Sequence, residues 1–257
     1  MKNIVESRRR FLVEFAGGVA SVVLVTACSP GETSGDAATG TTATESEAAS
    51  TTAPARPGLA WQQVSFGFVS AYLLQRGNEV TLIDTGTGTS AEFESGLSSL
   101  GASWSNVTNV ILTHSHGDHV GGLGAVIDNA PTVEAYAGIG DLDAIAVGGF
   151  DADRLTGVAD GDEIFGLEVI STPGHTPGHI AVFDRESGLL VAGDAINTSG
   201  GAVSGPNPDF TPDMASAEAS VAKILEGRSI TTALVGHGSP IEGTAGDSLT
   251  ELVASLG

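Results

Sequence analysis

Thr113-His114-Ser115-His116-Gly117-Asp118-His119 sets three imidazoles and a carboxylate side by side directly after Val107–Leu112, an apolar run that reads as a buried strand. Imidazole nitrogen and carboxylate oxygen are donors that suit zinc and similar transition metals. His114 and His116 lie two residues apart and converge if the chain stays extended. Gly117 permits a turn, after which Asp118 and His119 point elsewhere, toward a second ion. The plain alternative is a solvated polar loop, but so dense a cluster of donors rarely arises without a metal.

All six histidines fall at three places, each at the end of a predicted strand. The second place is Thr172-Pro173-Gly174-His175-Thr176-Pro177-Gly178-His179, whose prolines and glycines predict a fixed tight loop rather than a helix. His175 is placed to complete a first metal site. His179 opens a strand and reads as a packing residue or as one that orients a ligand from behind. The third place is Gly193-Asp194-Ala195 together with Gly236-His237-Gly238. A lone Asp or a lone His after a strand says little by itself, and these two gain force from the other motifs.

The HxHxDH run, followed by a His, an Asp and a His in this order, resembles the metallo-β-lactamase superfamily over about residues 58–257. Leu82-Ile83-Asp84-Thr85-Gly86 resembles the early strand-end segment of the same family. The resemblance implies an α/β fold, an αββα four-layer sandwich of two similar halves with the metals at one edge. It also implies a pair of Zn2+ ions. His114, His116 and His175 would bind one, Asp118, His119 and His237 the other, with Asp194 bridging them and Asp84 supporting a ligand from behind.

Two such ions about 3.5–4 Å apart lower the pKa of a shared water toward about 7, and the resulting hydroxide attacks a carbonyl carbon. Asp118 is the expected catalytic residue, orienting that nucleophile. Small esters, thioesters and lactones suit this chemistry, and the His/Asp pattern with Asp194 is similar to the glyoxalase II-like branch. Glyoxalase II enzymes hold glutathione with basic residues and an added C-terminal helical region, and this chain has few cations and ends soon after His237. The expected substrate is therefore a small molecule of undefined class. The rival readings are a lactonase or β-lactamase, a mononuclear iron sulfur dioxygenase, and a metal-binding lipoprotein without catalysis.

The periodicity predicts strands over 59–68, 69–75 and 79–83, a helix over 90–100, a short glycine-rich helix over 120–127, and a strand over 132–136. In the second half, strands are predicted over 163–171, 180–183, 189–192 and 230–235. Thr211 is the expected cap of a helix with Pro212 in its first turn, an apolar face of Met214, Val221, Ile224 and Leu225, and Gly227 at its end. A C-terminal helix carries Leu249, Leu252, Val253 and Leu256. The stretch 201–213, rich in Gly, Pro and Asn, is expected as a loop near the site.

Thirty-one acidic residues against 10 basic ones give a net charge of -21, which repels phosphate backbones and excludes nucleic acid as a partner. The acidity serves solubility or matches a high-salt habitat. Four of the cations, Lys2, Arg8, Arg9 and Arg10, stand at the N-terminus before a mostly apolar run over 13–27. This is a signal-peptide pattern, and Arg8-Arg9-Arg10-Phe11-Leu12 resembles a twin-arginine export signal. Val25-Thr26-Ala27-Cys28 is similar to a lipobox, with the sole cysteine as the expected lipidation site and membrane anchor. That cysteine can form no intramolecular disulfide, so nitrogen and oxygen must supply the metal donors. Residues 28–57, built from small and polar residues without an aromatic, read as a flexible lipoprotein linker. The expected organisation is thus a signal over 1–27, this linker, and one catalytic domain over 58–257, on an exported, cell-surface or periplasmic lipoprotein.

Overall fold

A computed structural model describes residues 58–147 and 152–256 of the chain. The expected signal, the linker and Cys28 lie outside the described residues.

In chain order the first half comprises β1 (Leu59–Ser65), β2 (Ser70–Arg76), β3 (Glu79–Ile83), α1 (Ser90–Ser99), β4 (Val107–Leu112), α2 (Gly117–Val120), α3 (Leu123–Asn129), β5 (Glu134–Gly138), α4 (Leu142–Val147) and β6 (Leu155–Val158). The second half comprises β7 (Glu163–Ile164), β8 (Leu167–Ser171), β9 (Ile180–Asp184), β10 (Leu189–Gly193), β11 (Asn197–Ser199), β12 (Ala202–Ser204), α5 (Met214–Leu225), β13 (Thr232–Val235), β14 (Ile241–Glu242) and α6 (Ala245–Ser255).

The strands form two six-stranded sheets, ordered β1-β2-β3-β4-β5-β6 and β14-β13-β10-β9-β8-β7, with β11 and β12 as a separate hairpin. Strand alternation builds the layers, because successive side chains leave opposite faces of a sheet. In β4, Ile111 joins the core between the sheets while Val110 and Leu112 join the core beneath α1 and α3. In β9, Val182 faces inward and Ala181 and Phe183 face α5 and α6. Three apolar cores therefore separate four layers, the αββα sandwich that the resemblance implies.

Four parallel-paired strands decide where chemistry is possible. β3 pairs parallel with β4, and β10 with β13. All four deliver their C-terminal ends to one edge of the sandwich, the edge at which open α/β sheets bind ligands.

The structure corrects several local expectations. The expected strand over 59–68 stops at Ser65, because residues 66–69 turn the chain and Phe66 N–H donates to Val69 O at 2.9 Å. The expected strand over 163–171 is a hairpin whose turn residues Phe165 and Gly166 both have positive φ, 56° and 77°; such a two-residue turn matches the twist of the strands. The expected helix over 120–127 is split into α2 and α3 at Gly121 and Gly122. Thr211 does not cap α5. Asp213 does, its carboxylate accepting from Ser216 N–H at 3.0 Å, and Pro212 stays outside the helix. The strand expected from 230 begins at Thr232. β6, α4 and the β11–β12 hairpin were not predicted; each is short, with too few residues to show a period.

Candidate metal centre

β4 ends at Leu112, and Thr113 through His116 continue extended, with His116 at φ -66° and ψ 144°. The single turn of α2 then begins at Gly117. Extended backbone puts the rings of His114 and His116 together, with His114 Nε2 3.1 Å from His116 Nδ1. The helical turn sends Asp118 and His119 to the other side. His175 arrives from the loop before β9, its Nε2 3.0 Å from His116 Nδ1. Asp194 follows β10 and His237 follows β13.

The seven residues expected to bind metal stand at one place. His114, His116 and His175 form one group whose donor atoms all lie within 4.8 Å of one another, and Asp118, His119 and His237 form a second. Asp194 lies between them. Its Oδ2 is 3.3 Å from His175 Nε2 and 3.2 Å from His237 Nε2, while Oδ1 is 3.2 Å from His119 Nε2. Two donors on a tetrahedral zinc, each about 2.0–2.1 Å from it, stand roughly 3.3 Å apart. The observed spacings match that value.

Hydrogen bonds fix which nitrogen of each ring is free, and the tautomers follow from this network. Thr113 Oγ1 donates to Asp84 Oδ2 at 2.7 Å, so it accepts from His114 Nδ1–H at 3.0 Å. Thr211 Oγ1 donates to Asn207 O at 2.7 Å and accepts from His175 Nδ1–H at 3.0 Å. His119 Nδ1–H donates to Asp84 Oδ2 at 2.8 Å, and His237 Nδ1–H donates to Phe68 O at 2.9 Å. Four Nε2 lone pairs are thereby aimed at the centre. His119 Nε2 and Asp194 Oδ1 are buried without a hydrogen-bond partner, a costly state unless a cation takes up those lone pairs. The donor set fits divalent metal.

The charges agree. Burial holds His114 well below the usual imidazole range, reinforced by His119 and His179, and burial pushes His175 down to about 4. Burial opposes the charged form of His119 too, yet the Asp84 and Asp194 carboxylates overcome it and push the ring up to about 10. Asp194 is held well below the carboxylate range despite its burial, by the His119 and His237 rings beside it. Positive charge is thus favoured beside Asp194, and lone pairs are kept available on the opposite side.

His179 has both ring nitrogens bonded to protein. Nε2 accepts from Asp194 N–H at 3.1 Å and Nδ1–H donates to Thr172 Oγ1 at 2.7 Å. It orients Asp194 through the backbone and offers no lone pair to a metal. Asp84, with φ 60°, turns its carboxylate back to accept from Thr113 N–H at 2.7 Å as well as from His119; aspartate is among the few residues that tolerate this left-handed backbone. Gly236 makes room for the cluster, since a Cβ there would collide with Asp194 Oδ1.

Asp141 escaped the sequence reading. It is buried and accepts from Ser115 N–H at 2.9 Å, Thr176 Oγ1–H at 2.6 Å and Gly178 N–H at 2.7 Å, binding the two histidine loops to each other. Thr211, expected as a helix cap, is the partner of His175 instead. Neither residue has a sequence signal, because each is recognised only by what it touches.

A cavity of about 800 Å³ opens onto His116, Asp118, Asp194 and His237, and its far wall includes segments of 197–208 and Phe210. The loop expected over 201–213 does lie beside the site.

Residues 64–237 match the family model of the metallo-beta-lactamase superfamily. The chain is 32% identical over 200 residues to the uncharacterized protein YobT of Bacillus subtilis, covering 66% of this chain and 83% of that one. It is 33% identical over 133 residues to a hydroxyacylglutathione hydrolase of Aeromonas hydrophila, covering 50% of this chain and 47% of that one, so it spans less than half of that relative. A metallo-beta-lactamase family protein of Thermus thermophilus superposes with a TM-score of 0.57 at 27% identity, over 77% of this chain and 79% of that one. With the four-layer fold and the His/Asp cluster at its edge, these matches establish that the chain belongs to the metallo-beta-lactamase superfamily of metallo-hydrolases.

Proposed function

We propose that the chain is a dinuclear zinc hydrolase of a small ester, thioester or lactone, similar to the glyoxalase II branch. The observation that carries this reading is the position of Asp194, whose two oxygens face donors of both histidine groups at 3.2–3.3 Å. A carboxylate so placed suits a bridge between two cations. The relationship to hydroxyacylglutathione hydrolase supports hydrolysis of an acyl bond.

Two bound divalent ions would supply Lewis acidity, lowering the pKa of a shared water toward about 7 and polarising a carbonyl oxygen. The chain's own residues do the rest. His114, His116 and His175 would hold one ion and Asp118, His119 and His237 the other, with Asp194 placed to serve both. Asp118 Oδ2, 3.5 Å from His237 Nε2, faces the cavity and orients the attacking water. As the new bond to the acyl carbon forms and the bond to the leaving group breaks, Asp118 holds the water's proton and returns it to the departing oxygen or sulfur.

The test is metal analysis with a panel of thioesters, lactones and β-lactams on protein lacking residues 1–57. Two zinc equivalents and turnover of a thioester or lactone are expected. One iron per chain with oxygen consumption on persulfides would point to a sulfur dioxygenase, and tight metal binding without turnover to a binding protein. We further propose that the protein is exported and held to a membrane by a lipid on Cys28, as the twin-arginine and lipobox patterns indicate. Labelling with palmitate in the wild type and its loss in Cys28→Ala tests this.

A further inference from the structure

Resting on the hydrolase reading above, we propose that the substrate is an uncharged carbonyl compound with an apolar chain, seated between Phe68 and Phe210. The cavity over the metal centre has about 800 Å³, within the range that encloses a small-molecule ligand. Phe68 and Phe210 border it while remaining 66% and 64% exposed, and Met214 and Leu256 add apolar wall. Large apolar side chains left open beside a reactive centre gain most from a ligand that buries them.

Three polar side chains of the wall, Asn197, Thr198 and Asn207, are engaged with the protein itself. Asn197 Nδ2–H donates to Gly205 O at 3.2 Å, Asn207 Oδ1 accepts from Asp209 N–H at 3.0 Å, and Thr198 Oγ1–H donates to Ser239 O at 2.8 Å. These bonds shape the wall.

Charge narrows the class further. Among the described residues, none that lines the cavity is lysine or arginine. Arg76, Lys223 and Arg228 are each engaged elsewhere, with Asp184, Asp160 and Glu168. A ligand carboxylate remote from the reacting carbonyl would find no lysine or arginine in the wall to pair with. The cavity therefore disfavours anionic thioesters of the glutathione kind and favours neutral acyl chains.

The experiment uses the zinc-loaded protein and p-nitrophenyl esters from acetyl to octanoyl, with the octanedioyl monoester as the anionic member. The expected kcat/KM rises about fourfold per methylene, the value of burying one such group, until the cavity is filled. The octanedioyl monoester should fall at least about tenfold below the octanoyl ester. Phe210→Ser should lower the octanoyl-to-acetyl ratio at least about tenfold with zinc content retained. As a reading independent of chemistry, octanamide should bind metal-free protein with a negative heat-capacity change. Turnover that is flat in chain length, or faster with the monoester, overturns this proposal and leaves the hydrolase reading standing. No turnover of any ester by protein holding two zinc equivalents overturns the hydrolase reading. In that case octanamide binding decides the cavity's preference, and its absence overturns the proposal as well.

Discussion

At the scale of the residue, each histidine is defined by the atom its other nitrogen touches. His114, His119, His175 and His237 give Nδ1–H to an acceptor and keep Nε2 for the centre, whereas His179 spends both nitrogens on protein. His116→Ala should therefore remove metal and activity together, by metal analysis and substrate turnover. His179→Ala should retain the metal content of the wild type while lowering stability by about 1–3 kcal/mol, since the buried N–H of Asp194 loses its acceptor. Loss of a full equivalent from His179→Ala would sink the ligand assignment. His179 also sets a pH dependence. Burial, reinforced by His175, pushes its ring down to about 3 from an ordinary value of 6.5. The unfolded chain then takes up the proton first, so the ring's contribution is intact above about pH 6.5 and is lost as pH falls toward 3. In chelator-treated protein, the stability gap between wild type and His179→Gln should shrink across that window in urea titrations. The sequence showed these histidines well, because a donor cluster is visible as residue types; it did not show which nitrogen is free, because that depends on Asp84, Thr113, Thr211 and Phe68 across the fold.

At the scale of the element, the strands that carry donors were legible and the contacts that tie their loops together were not. β3, β4 and β10 are apolar runs ending in Asp84, Thr113-His114 and Asp194, and a buried run stopping at a polar residue is a local signal. The coupling between loops leaves no such mark. Asp141, in the turn between β5 and α4, accepts three hydrogen bonds from the loops of His114 and His175. Asp141→Asn keeps the shape but turns an amide donor toward donors. It should cost about 1–3 kcal/mol and loosen both loops, seen as a lower urea midpoint together with weaker zinc retention against a chelator. Thr211 ties the cavity wall to His175 in the same way. Thr211→Val removes the acceptor for His175 Nδ1–H, and metal affinity should fall about 10- to 100-fold; unchanged affinity would show that the ring needs no such support.

At the scale of the whole molecule, the metal centre and a buried ion pair between the sheets lie at opposite ends of the same strands. β2 begins at Ser70, whose N–H donates to Gly236 O beside His237, and ends at Arg76. β9 begins just after His179 and ends at Asp184. Arg76 Nη2 meets Asp184 Oδ1 at 2.7 Å, Arg76 Nη1 donates to Phe165 O at 2.6 Å, and Asp184 Oδ2 accepts from Ser187 Oγ–H at 2.6 Å. Both partners are buried, so their worth lies in the pairing, and removing one leaves a charge without compensation. Arg76→Met should thus lower stability by about 3–5 kcal/mol. Adding Asp184→Asn, which deletes the orphaned charge yet still accepts from Ser187, should restore much of that loss. Urea unfolding of the two single variants and the double variant measures the coupling, with the slope against urea unchanged if the folded state is intact. Zinc content should stay at its wild-type value in all three. Additive losses would mean that the two residues do not act as a pair, and metal loss in Arg76→Met would mean that the two ends of the sandwich are not independent.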